Sequence, residues 1–242
     1  MKCHCCNAEY KQLYENTFVC PACDHVHRVY LGNEIEYHRN QYRNIERRDI
    51  REIDSKGTVT PLFHEKRDHI CEKRMSYIKD YLLTTDTYLD IGAGAGTFAN
   101  KVRPYVSSVE CTELDLSLLD ECKRLGFKTY QEDFLTLSLG KTYDIVSAWH
   151  VLEHVTDIGS FLEKCSKVAK SYCIIEVPTL VSLSGEGRKR DLVDPSIGRY
   201  DGHAHYFSKK SFETLASKYF SIIEVREGVQ SPALFAIMEP LS

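Results

Sequence analysis

The sequence contains no run of about 18 apolar residues, so it predicts no membrane-spanning helix. The start of the chain lacks the apolar stretch of a secretory signal peptide, and we therefore expect a cytoplasmic protein. Basic residues are not in excess, since 31 lysines and arginines stand against 35 acidic residues and give a net charge of -4. Because nucleic-acid-binding proteins usually present a basic face, this balance argues against DNA or RNA as a substrate.

Cysteine, in contrast, is abundant. The chain has 10 cysteines, and half of them fall before residue 24. Without a secretory signal, such clustering indicates metal binding rather than disulfide bonds. Two C-x2-C pairs supply four thiolates, which form the closed tetrahedral shell of a structural zinc site. The predicted zinc ligands are Cys3, Cys6, Cys20 and Cys23.

An alternative ligand set remains open at this site, because Cys5 lies inside the first pair. Cys5, Cys20 and Cys23 could bind the metal together with His4 or His25. In either case we expect the zinc to serve folding rather than chemistry, because a closed shell has no open coordination position.

The length of 242 residues allows one large domain and a small attachment. We assign residues 1–32 to a zinc-binding knuckle and residues 33–61 to a helical linker or lid. Residues 62–242 form the main domain. Apolar residues within 62–83 recur at helical spacing, so an amphipathic helix is predicted to lead into the first strand of that domain.

From residue 87 onward, strand and helix patterns alternate, which is typical of an α/β protein with a parallel sheet. The last two strands have only a short loop between them and suggest an antiparallel hairpin at one edge. Strands are predicted at 87–91, 108–113, 128–131, 143–148, 172–177, 221–225 and 234–238, and helices at 95–103, 115–125, 158–169 and 208–219.

A glycine-rich loop, Gly92–Gly96, follows the first of these strands and opens a helix. Glycines allow the backbone to turn sharply and to approach a ligand closely. Glu113 ends the next strand, where a carboxylate can accept both hydroxyls of a ribose. The dinucleotide fingerprint would need a glycine at position 97, where this chain has Thr97. Asp90 would repel a pyrophosphate but suits a cationic, amine-bearing ligand.

Together with the segments 143–155 and 201–208, these residues resemble the class I S-adenosylmethionine-dependent methyltransferases, in particular the small-molecule branch, over about residues 62–242. The resemblance implies a Rossmann-like, seven-stranded, mostly parallel sheet with one antiparallel edge strand. It also implies S-adenosylmethionine as cofactor, with the glycine loop at its methionine and ribose parts and the pair 133–134 at its adenine. The cofactor-binding residues implied are Asp90, Gly92, Ala93, Gly94, Gly96, Phe98, Glu113, Leu114, Asp133, Phe134, Trp149 and His150.

Histidines are the candidate catalytic groups, because transfer to a hydroxyl requires a base near neutral pH. The candidates are His154, His203 and His205. For His154 the alternative role is support of a tight turn after the fourth strand. His203 and His205 are two residues apart, so on an extended chain they share one face and could line the pocket together.

The first hypothesis for the acceptor is O-methylation of a nucleotide-activated sugar or glycan precursor. It rests on a resemblance to small-molecule methyltransferases that also carry N-terminal C-x2-C pairs. A C-methyltransferase of a deoxysugar nucleotide is an alternative, as is a non-enzymatic scaffold with a vestigial cofactor fold. The chain can also be compared with RNA 3′-terminal ribose methyltransferases, which hold a metal with Glu-x-x-Glu-His and a later histidine; here His150 replaces the first glutamate.

Overall fold

The computed structural model describes residues 1–14, 16–29, 58–179, 203–229 and 233–241. Most of the predicted linker, residues 33–57, lies outside the described residues. Of the helices in the described part, none is long and apolar enough to cross a membrane.

The described chain forms a small N-terminal sheet and a large sheet that is flanked by helices. The strands are β1 (Lys11–Tyr14), β2 (Thr17–Val19), β3 (Val26–Arg28), β4 (Thr87–Ile91), β5 (Ser108–Thr112), β6 (Lys128–Tyr130), β7 (Tyr143–Trp149), β8 (Ala169–Pro178), β9 (His205–Tyr206), β10 (Phe220–Glu227) and β11 (Ala233–Pro240). The helices are α1 (Pro61–Ile78), α2 (Thr97–Val102), α3 (Leu116–Arg124), α4 (Ile158–Val168) and α5 (Lys209–Ala216).

The large sheet has seven strands in the order β10-β11-β8-β7-β4-β5-β6. β4 pairs in parallel with both β5 and β7, and β7 pairs in parallel with β8. β11 runs antiparallel to β8 on one side and to β10 on the other, so the antiparallel strand is second from the edge. The predicted Rossmann-like, mostly parallel sheet with an antiparallel hairpin at one edge is confirmed.

The central strands form because their side chains are apolar enough to be buried on both faces. Four of the five residues of β4 are buried. Two helices that return from the sheet begin at aspartate caps: Asp115 accepts hydrogen bonds from the first turn of α3, and Asp157 does so for α4. Strand order reverses at β4, which has the first crossover on one side and the later strands on the other. In such sheets a ligand binds beyond the carboxyl ends of the strands at this point.

The small sheet joins the N-terminal segment to a much later part of the chain. Its order is β1-β2-β3-β9, and every neighbouring pair is antiparallel. Its first three strands come from the segment predicted as a separate knuckle, residues 1–32. Its fourth strand comes from residue 205 onward, so the N-terminal segment does not close on itself.

Candidate active site

The glycine-rich loop that follows β4 has a backbone conformation that residues other than glycine rarely adopt. Gly92, Gly94 and Gly96 all have positive φ, at 65°, 58° and 73°. A Cβ atom at Gly92 would lie 2.6 Å from Val151 Cγ2, so that glycine is required by packing as well. A Cβ at Gly94 would meet nothing within 4 Å. The loop is therefore packed against Val151 at Gly92 and open at Gly94, as a loop that binds a ligand requires.

Glu113, after β5, reaches across to this loop. One carboxylate oxygen accepts a hydrogen bond from Gly94 N at 2.9 Å, and the other accepts from Leu114 N and Asp115 N at 2.8 Å each. Burial raises the pKa of Glu113, and these backbone hydrogen bonds oppose the rise only in part. The carboxylate thus lies at the open edge of the glycine loop, where ribose hydroxyls of a bound nucleoside could reach it.

Asp90, the last acid before the loop, is almost fully buried at 1% exposure. The hydroxyl of Ser147 on β7 donates to its carboxylate at 2.6 Å. Burial raises the pKa of Asp90 to about 7, although the Ser147 hydrogen bond and the charge of Arg74 act in the opposite direction. A cationic ligand beside Asp90 would stabilise the ionised form.

The predicted adenine end is divided between surface and core. Asp133 is exposed, and one of its carboxylate oxygens accepts a hydrogen bond from Leu135 N at 2.9 Å. The ring of Phe134 instead packs edge-on against Phe161 in the core, with 5.2 Å between centroids and 4% of the residue exposed. Because that ring is turned inward, it is not placed to cover an adenine. Leu114, the residue after Glu113, is instead an exposed apolar residue at 46%.

The remaining predicted cofactor residues lie beneath or within the loop. Phe98, on α2, packs edge-on against Trp149 with ring centroids 4.6 Å apart, and both are buried. Ala93 is half-buried, and its backbone N–H donates to the carbonyl of Thr112 at 3.0 Å. Phe98 and Trp149 therefore support the loop from the core side.

His150, directly after β7, lies between two buried carboxylates. Its Nε2 is 2.9 Å from Glu176 Oε1 and its Nδ1 is 3.2 Å from Glu153 Oε1. Its backbone has a positive φ of 57°, which is uncommon outside glycine and marks a constrained position. Burial alone would lower the pKa of His150, but the two carboxylates outweigh it and raise this pKa to about 9. His150 is therefore a half-buried cation at neutral pH.

The stability of the protein should depend on the charge of His150. Its pKa rises from 6.5 to about 9 on folding, so its ion pairs stabilise the fold fully below pH 6.5 and are lost as the pH rises through about 9. At about 1.4 kcal/mol per pKa unit, the contribution is about 3 kcal/mol. His150→Asn keeps a residue that tolerates positive φ. The difference in unfolding free energy between wild type and this variant, measured with urea, should be large at pH 6 and small at pH 10. A difference in unfolding free energy that does not change with pH would contradict the positive charge assigned to His150.

A second cluster follows in the turn beyond His150. Glu153 is fully buried, and neither of its carboxylate oxygens receives a well-aligned hydrogen bond from the described residues. His154 Nε2 and His203 Nε2 lie 3.9 Å and 4.0 Å from Glu153 Oε1. The ligand atoms of the three residues lie within 4.8 Å of one another. One carboxylate and two imidazoles at this spacing form a donor set suited to a divalent metal ion.

His205, the third candidate base, is not part of this cluster. It is fully buried, and its ring stacks on those of His25 and His27, with centroids 5.2 Å and 4.7 Å away. The prediction that His203 and His205 line one pocket does not hold, because β9 pairs with β3 and turns the His205 ring toward the N-terminal sheet.

Two site residues were missed by the sequence analysis, Arg74 on α1 and Glu176 on β8. Arg74 Nη2 donates to Glu176 Oε1 at 2.6 Å, and the guanidinium lies 4.7 Å from the Trp149 ring centroid. Arg74 Nε is buried and has no hydrogen-bond partner within the described residues. Burial would raise the pKa of Glu176, but His150 and Arg74 lower it to about 2. The available signal was an acid inside an otherwise apolar strand, Cys173–Val177, and an arginine spaced with the buried residues Cys71 and Ile78.

The four cysteines predicted as zinc ligands come together at one point. Cys3 Sγ lies 3.6 Å from Cys23 Sγ, and Cys6 Sγ lies 3.4 Å from Cys20 Sγ. A tetrahedral zinc with bonds of about 2.3 Å would require sulfur–sulfur distances of about 3.8 Å, so the thiolates fit this ion. All four sulfurs lie within 4.8 Å of one another.

The two C-x2-C turns have the same backbone design. In the first, Cys3 N donates to Ala8 O, and Asn7 N donates to Cys3 O. In the second, the same positions repeat: Cys20 N donates to His25 O, and the residue after the last cysteine, Asp24, donates to Cys20 O. Asn7 and Asp24 both have positive φ, at 63° and 59°. Two matching knuckles that present four thiolates strengthen the interpretation as one metal site.

Cys5 lies beside this site, but its close group is not the alternative set of Cys5, Cys20 and Cys23. Its backbone N–H donates to Cys3 Sγ at 3.4 Å, and Cys3, Cys5 and His25 form a second close group. Cys6 is a member of the four-sulfur group and Cys5 is not. The geometry therefore favours Cys6 as the ligand, with Cys5 next to it.

The geometry of the large sheet and its loop agrees with comparisons to known proteins. A family model described as a methyltransferase domain matches residues 63–219. The chain belongs to this methyltransferase family. Among solved structures, an N-methyltransferase, NodS from Bradyrhizobium japonicum, in complex with S-adenosylhomocysteine has the same fold, with a TM-score of 0.55 at 15% identity, over 84% of this chain and 100% of that one. A methyltransferase from Clostridium acetobutylicum has a TM-score of 0.55 at 12% identity, over 84% of this chain and 99% of its own.

Relatives at the sequence level are ubiquinone biosynthesis O-methyltransferases. The protein from Nitrosomonas europaea is 27% identical over 110 residues, which are 40% of this chain and 46% of the relative. The protein from Bradyrhizobium sp. is 30% identical over 141 residues, which are 52% of this chain and 56% of the relative. The methyltransferase thus spans about half the length of the curated relatives it matches.

Proposed function

We propose that this methyltransferase transfers the methyl group of S-adenosylmethionine to a hydroxyl oxygen of a small polar acceptor. The observation that carries the proposal is the cluster of Glu153, His154 and His203 at the sheet edge that also holds the glycine loop. The names of the sequence relatives support transfer to oxygen. The main catalytic unit would be residues 62–242.

The cofactor would be held by charges that match its own. Asp90 would face the cationic amine and sulfonium region, and Glu113 would accept the ribose hydroxyls. Arg74, with its buried and unpartnered Nε, is placed to bind the carboxylate of the methionine part. Leu114 and Asp133 would contact the adenine, Leu114 by covering it and Asp133 by accepting a hydrogen bond.

The acceptor hydroxyl would lie against the Glu153 cluster. Glu153, His154 and His203 fit a divalent cation, because no well-aligned hydrogen bond from the described residues reaches the buried carboxylate oxygens and the two histidines offer ring nitrogens close to them. A cation bound there would lower the pKa of the acceptor hydroxyl. His150 would hold Glu153 ionised and oriented by its positive charge. In methyl transfer the oxygen forms a bond to the methyl carbon as the bond from carbon to sulfur breaks, so orienting that oxygen is the main task of these residues.

For the acceptor, the sequence predicted a nucleotide-activated sugar, but the relatives, which are named for ubiquinone biosynthesis, do not support that choice. A small molecule whose hydroxyl can approach a cation centre fits the described residues best. A terminal RNA ribose is the second candidate, because Glu153, His154 and the later His203 lie close together and the stretch can be compared with the metal-binding motif of RNA 3′-terminal ribose methyltransferases.

The proposal is tested by incubating the protein with methyl-labelled S-adenosylmethionine, MnCl2 and either a small-molecule extract or total small RNA. We expect label in a small molecule, with the methyl carbon bonded to oxygen by its NMR shift, and loss of that label when the cation is chelated. Label in RNA would favour the second candidate. A methyl bonded to carbon or nitrogen, or transfer unaffected by chelation, would contradict the proposed chemistry.

We also propose that Cys3, Cys6, Cys20 and Cys23 hold one structural zinc. The support is the preformed tetrahedral spacing of their sulfurs and the repeated knuckle geometry. The three short strands of the N-terminal segment cannot bury enough apolar surface to fold unaided, so the metal would replace a missing core.

Replacing Cys20 with serine should release the zinc and destabilise the N-terminal sheet. Structural zinc contributes folding free energy of about 10 kcal/mol or more in small zinc modules, so we expect loss of soluble protein or early thermal unfolding. Cys71→Ser is the matched control, because Cys71 is equally buried but lies on α1, outside the four-sulfur group. Metal analysis should find about one zinc per chain in the control. An unchanged zinc content in Cys20→Ser would refute the ligand assignment.

A further inference from the structure

The N-terminal sheet and the candidate active site are both hydrogen-bonded to Ala204. Its carbonyl accepts a hydrogen bond from Arg28 N at 2.8 Å, and His27 Nδ1 lies 3.2 Å from the same oxygen. Its own N–H donates to Glu153 O at 2.8 Å. The peptide groups of Ala204 are thus bound by β3 on one side and by the Glu153 turn on the other. The next residue back along the chain is His203.

Further contacts hold the segment that follows. In the β3–β9 pairing, Val26 is opposite Tyr206 and His27 is opposite His205. The hydroxyl of Ser208 donates to the carbonyl of Cys23 at 2.7 Å. Residues 204–208 are therefore hydrogen-bonded to β3 and to the C-x2-C turn at Cys20–Cys23 that precedes it.

Side-chain packing reinforces this junction. The fully buried His205 ring stacks on the ring of His25 and on the ring of His27. Burial lowers the pKa of His27 to about 4, so its ring is neutral at physiological pH. A carbonyl oxygen can only accept, so Nδ1 of this neutral ring carries the hydrogen and donates to Ala204.

We propose that the N-terminal sheet positions His203, with His27 as the positioning residue that fixes the Ala204 carbonyl. The consequence is that the cation centre of Glu153, His154 and His203 is complete only when the cysteine-bearing sheet is folded. The N-terminal sheet is then part of the active site through one peptide group. This inference rests on the proposed cation centre, but the position of His203 can be measured without a cation.

The chemistry explains why such a support is needed. Glu153 and His154 belong to one turn, Leu152–His154, so their relative position is fixed locally. His203 comes from a distant part of the chain and must be placed within about an ångström to share a ligand with them. Residues that orient a metal ligand from outside the coordination shell typically change metal affinity by about 10–100-fold when they are replaced.

The test compares two substitutions at His27 in the zinc-loaded protein. His27→Leu removes the donor and retains an apolar side chain, whereas His27→Asn places an amide N–H where Nδ1 was. Ring resonances of 15N-histidine-labelled protein are recorded, with His203 assigned through His203→Ala. Affinity for Mn2+ is read from the broadening of the same resonances, and S-adenosylhomocysteine affinity from calorimetry.

We expect His27→Leu to shift the His203 resonances and to weaken Mn2+ binding about 10-fold or more, with S-adenosylhomocysteine affinity and zinc content unchanged. His27→Asn should restore both values to within about threefold of the wild type. Unchanged His203 resonances in His27→Leu would overturn the proposal, as would equal shifts in both variants. Absence of Mn2+ broadening in the wild type would refute the cation centre alone, because the His203 shift is read separately.

If His27→Leu loses zinc, the His203 resonances and S-adenosylhomocysteine binding are measured instead on wild-type protein treated with a zinc chelator. We then expect the His203 resonances to move while S-adenosylhomocysteine still binds. Loss of S-adenosylhomocysteine binding as well would show that the N-terminal sheet supports the whole domain rather than His203, and would overturn the proposal.

Discussion

Glu113→Ala is expected to weaken the binding of S-adenosylhomocysteine at least about 100-fold. In the proposed complex the Glu113 carboxylate accepts both ribose hydroxyls, and each hydrogen bond to a charged group is worth about 1.5–3 kcal/mol. Two such bonds amount to about 3 kcal/mol or more, and every 1.4 kcal/mol changes affinity tenfold. The substitution also removes the acceptor that binds Gly94 N and so loosens the loop. Isothermal titration calorimetry measures the change directly.

Asp120→Ala provides the matched control for this experiment. Asp120 is an exposed acid on α3, close in sequence to Glu113, and its partner is Lys123 at the surface. Surface ion pairs of this kind contribute little, so its affinity for S-adenosylhomocysteine should remain within about twofold of the wild type. An equal loss in both variants would point to a general effect of charge. An unchanged affinity in Glu113→Ala would remove Glu113 from the cofactor site.

Glu153→Gln is expected to lower methyl transfer by at least about 100-fold while the cofactor still binds. The amide is neutral, so it removes the one negative charge among the three proposed cation ligands, and a divalent cation supplies several kcal/mol of stabilisation to an oxygen nucleophile. S-adenosylhomocysteine affinity should stay within about threefold, because Glu153 lies in the turn beyond His150 and not in the glycine loop. Initial rates with the acceptor found by labelling, and Mn2+ affinity by calorimetry, give the two values.

Glu163→Gln is the control for charge, because Glu163 is exposed on α4 and pairs only with Lys167 among the described residues. It should transfer methyl groups at the wild-type rate. The pKa of His150 gives a second comparison. Without the Glu153 carboxylate beside it, His150 should have a lower pKa in Glu153→Gln than in the wild type. Full activity of Glu153→Gln at saturating cofactor would exclude Glu153 from the acceptor site and would leave His154 or His203 as a direct base.

The large sheet was predictable because its information is local. Each buried strand carries a short apolar run, and the helices α3, α4 and α5 begin at a capping residue such as Asp115. The loop at Gly92–Gly96 was predictable because its backbone requires glycine at defined positions. The cysteine site was predictable because its two C-x2-C turns have the same spacing of cysteines.

The remaining features depend on contacts between distant parts of the chain, which spacing does not encode. Pairing of β3 with β9 joins residues nearly 180 positions apart, and it directs His205 away from His203. The Phe134 ring faces the core because it packs against Phe161 on a later helix. Arg74 and Glu176 become a pair only when α1 lies across the end of β8. Buried charges of this kind are conspicuous only after their partners are known.

The most direct test of the account is a calorimetric titration of the wild-type protein with S-adenosylhomocysteine, with NAD titrated in parallel. The account predicts that one S-adenosylhomocysteine binds per chain and that NAD does not bind, because Thr97 and Asp90 are incompatible with a pyrophosphate at the loop. No binding of S-adenosylhomocysteine, or binding of NAD in its place, would contradict the assignment of the site at Asp90, Gly92–Gly96 and Glu113.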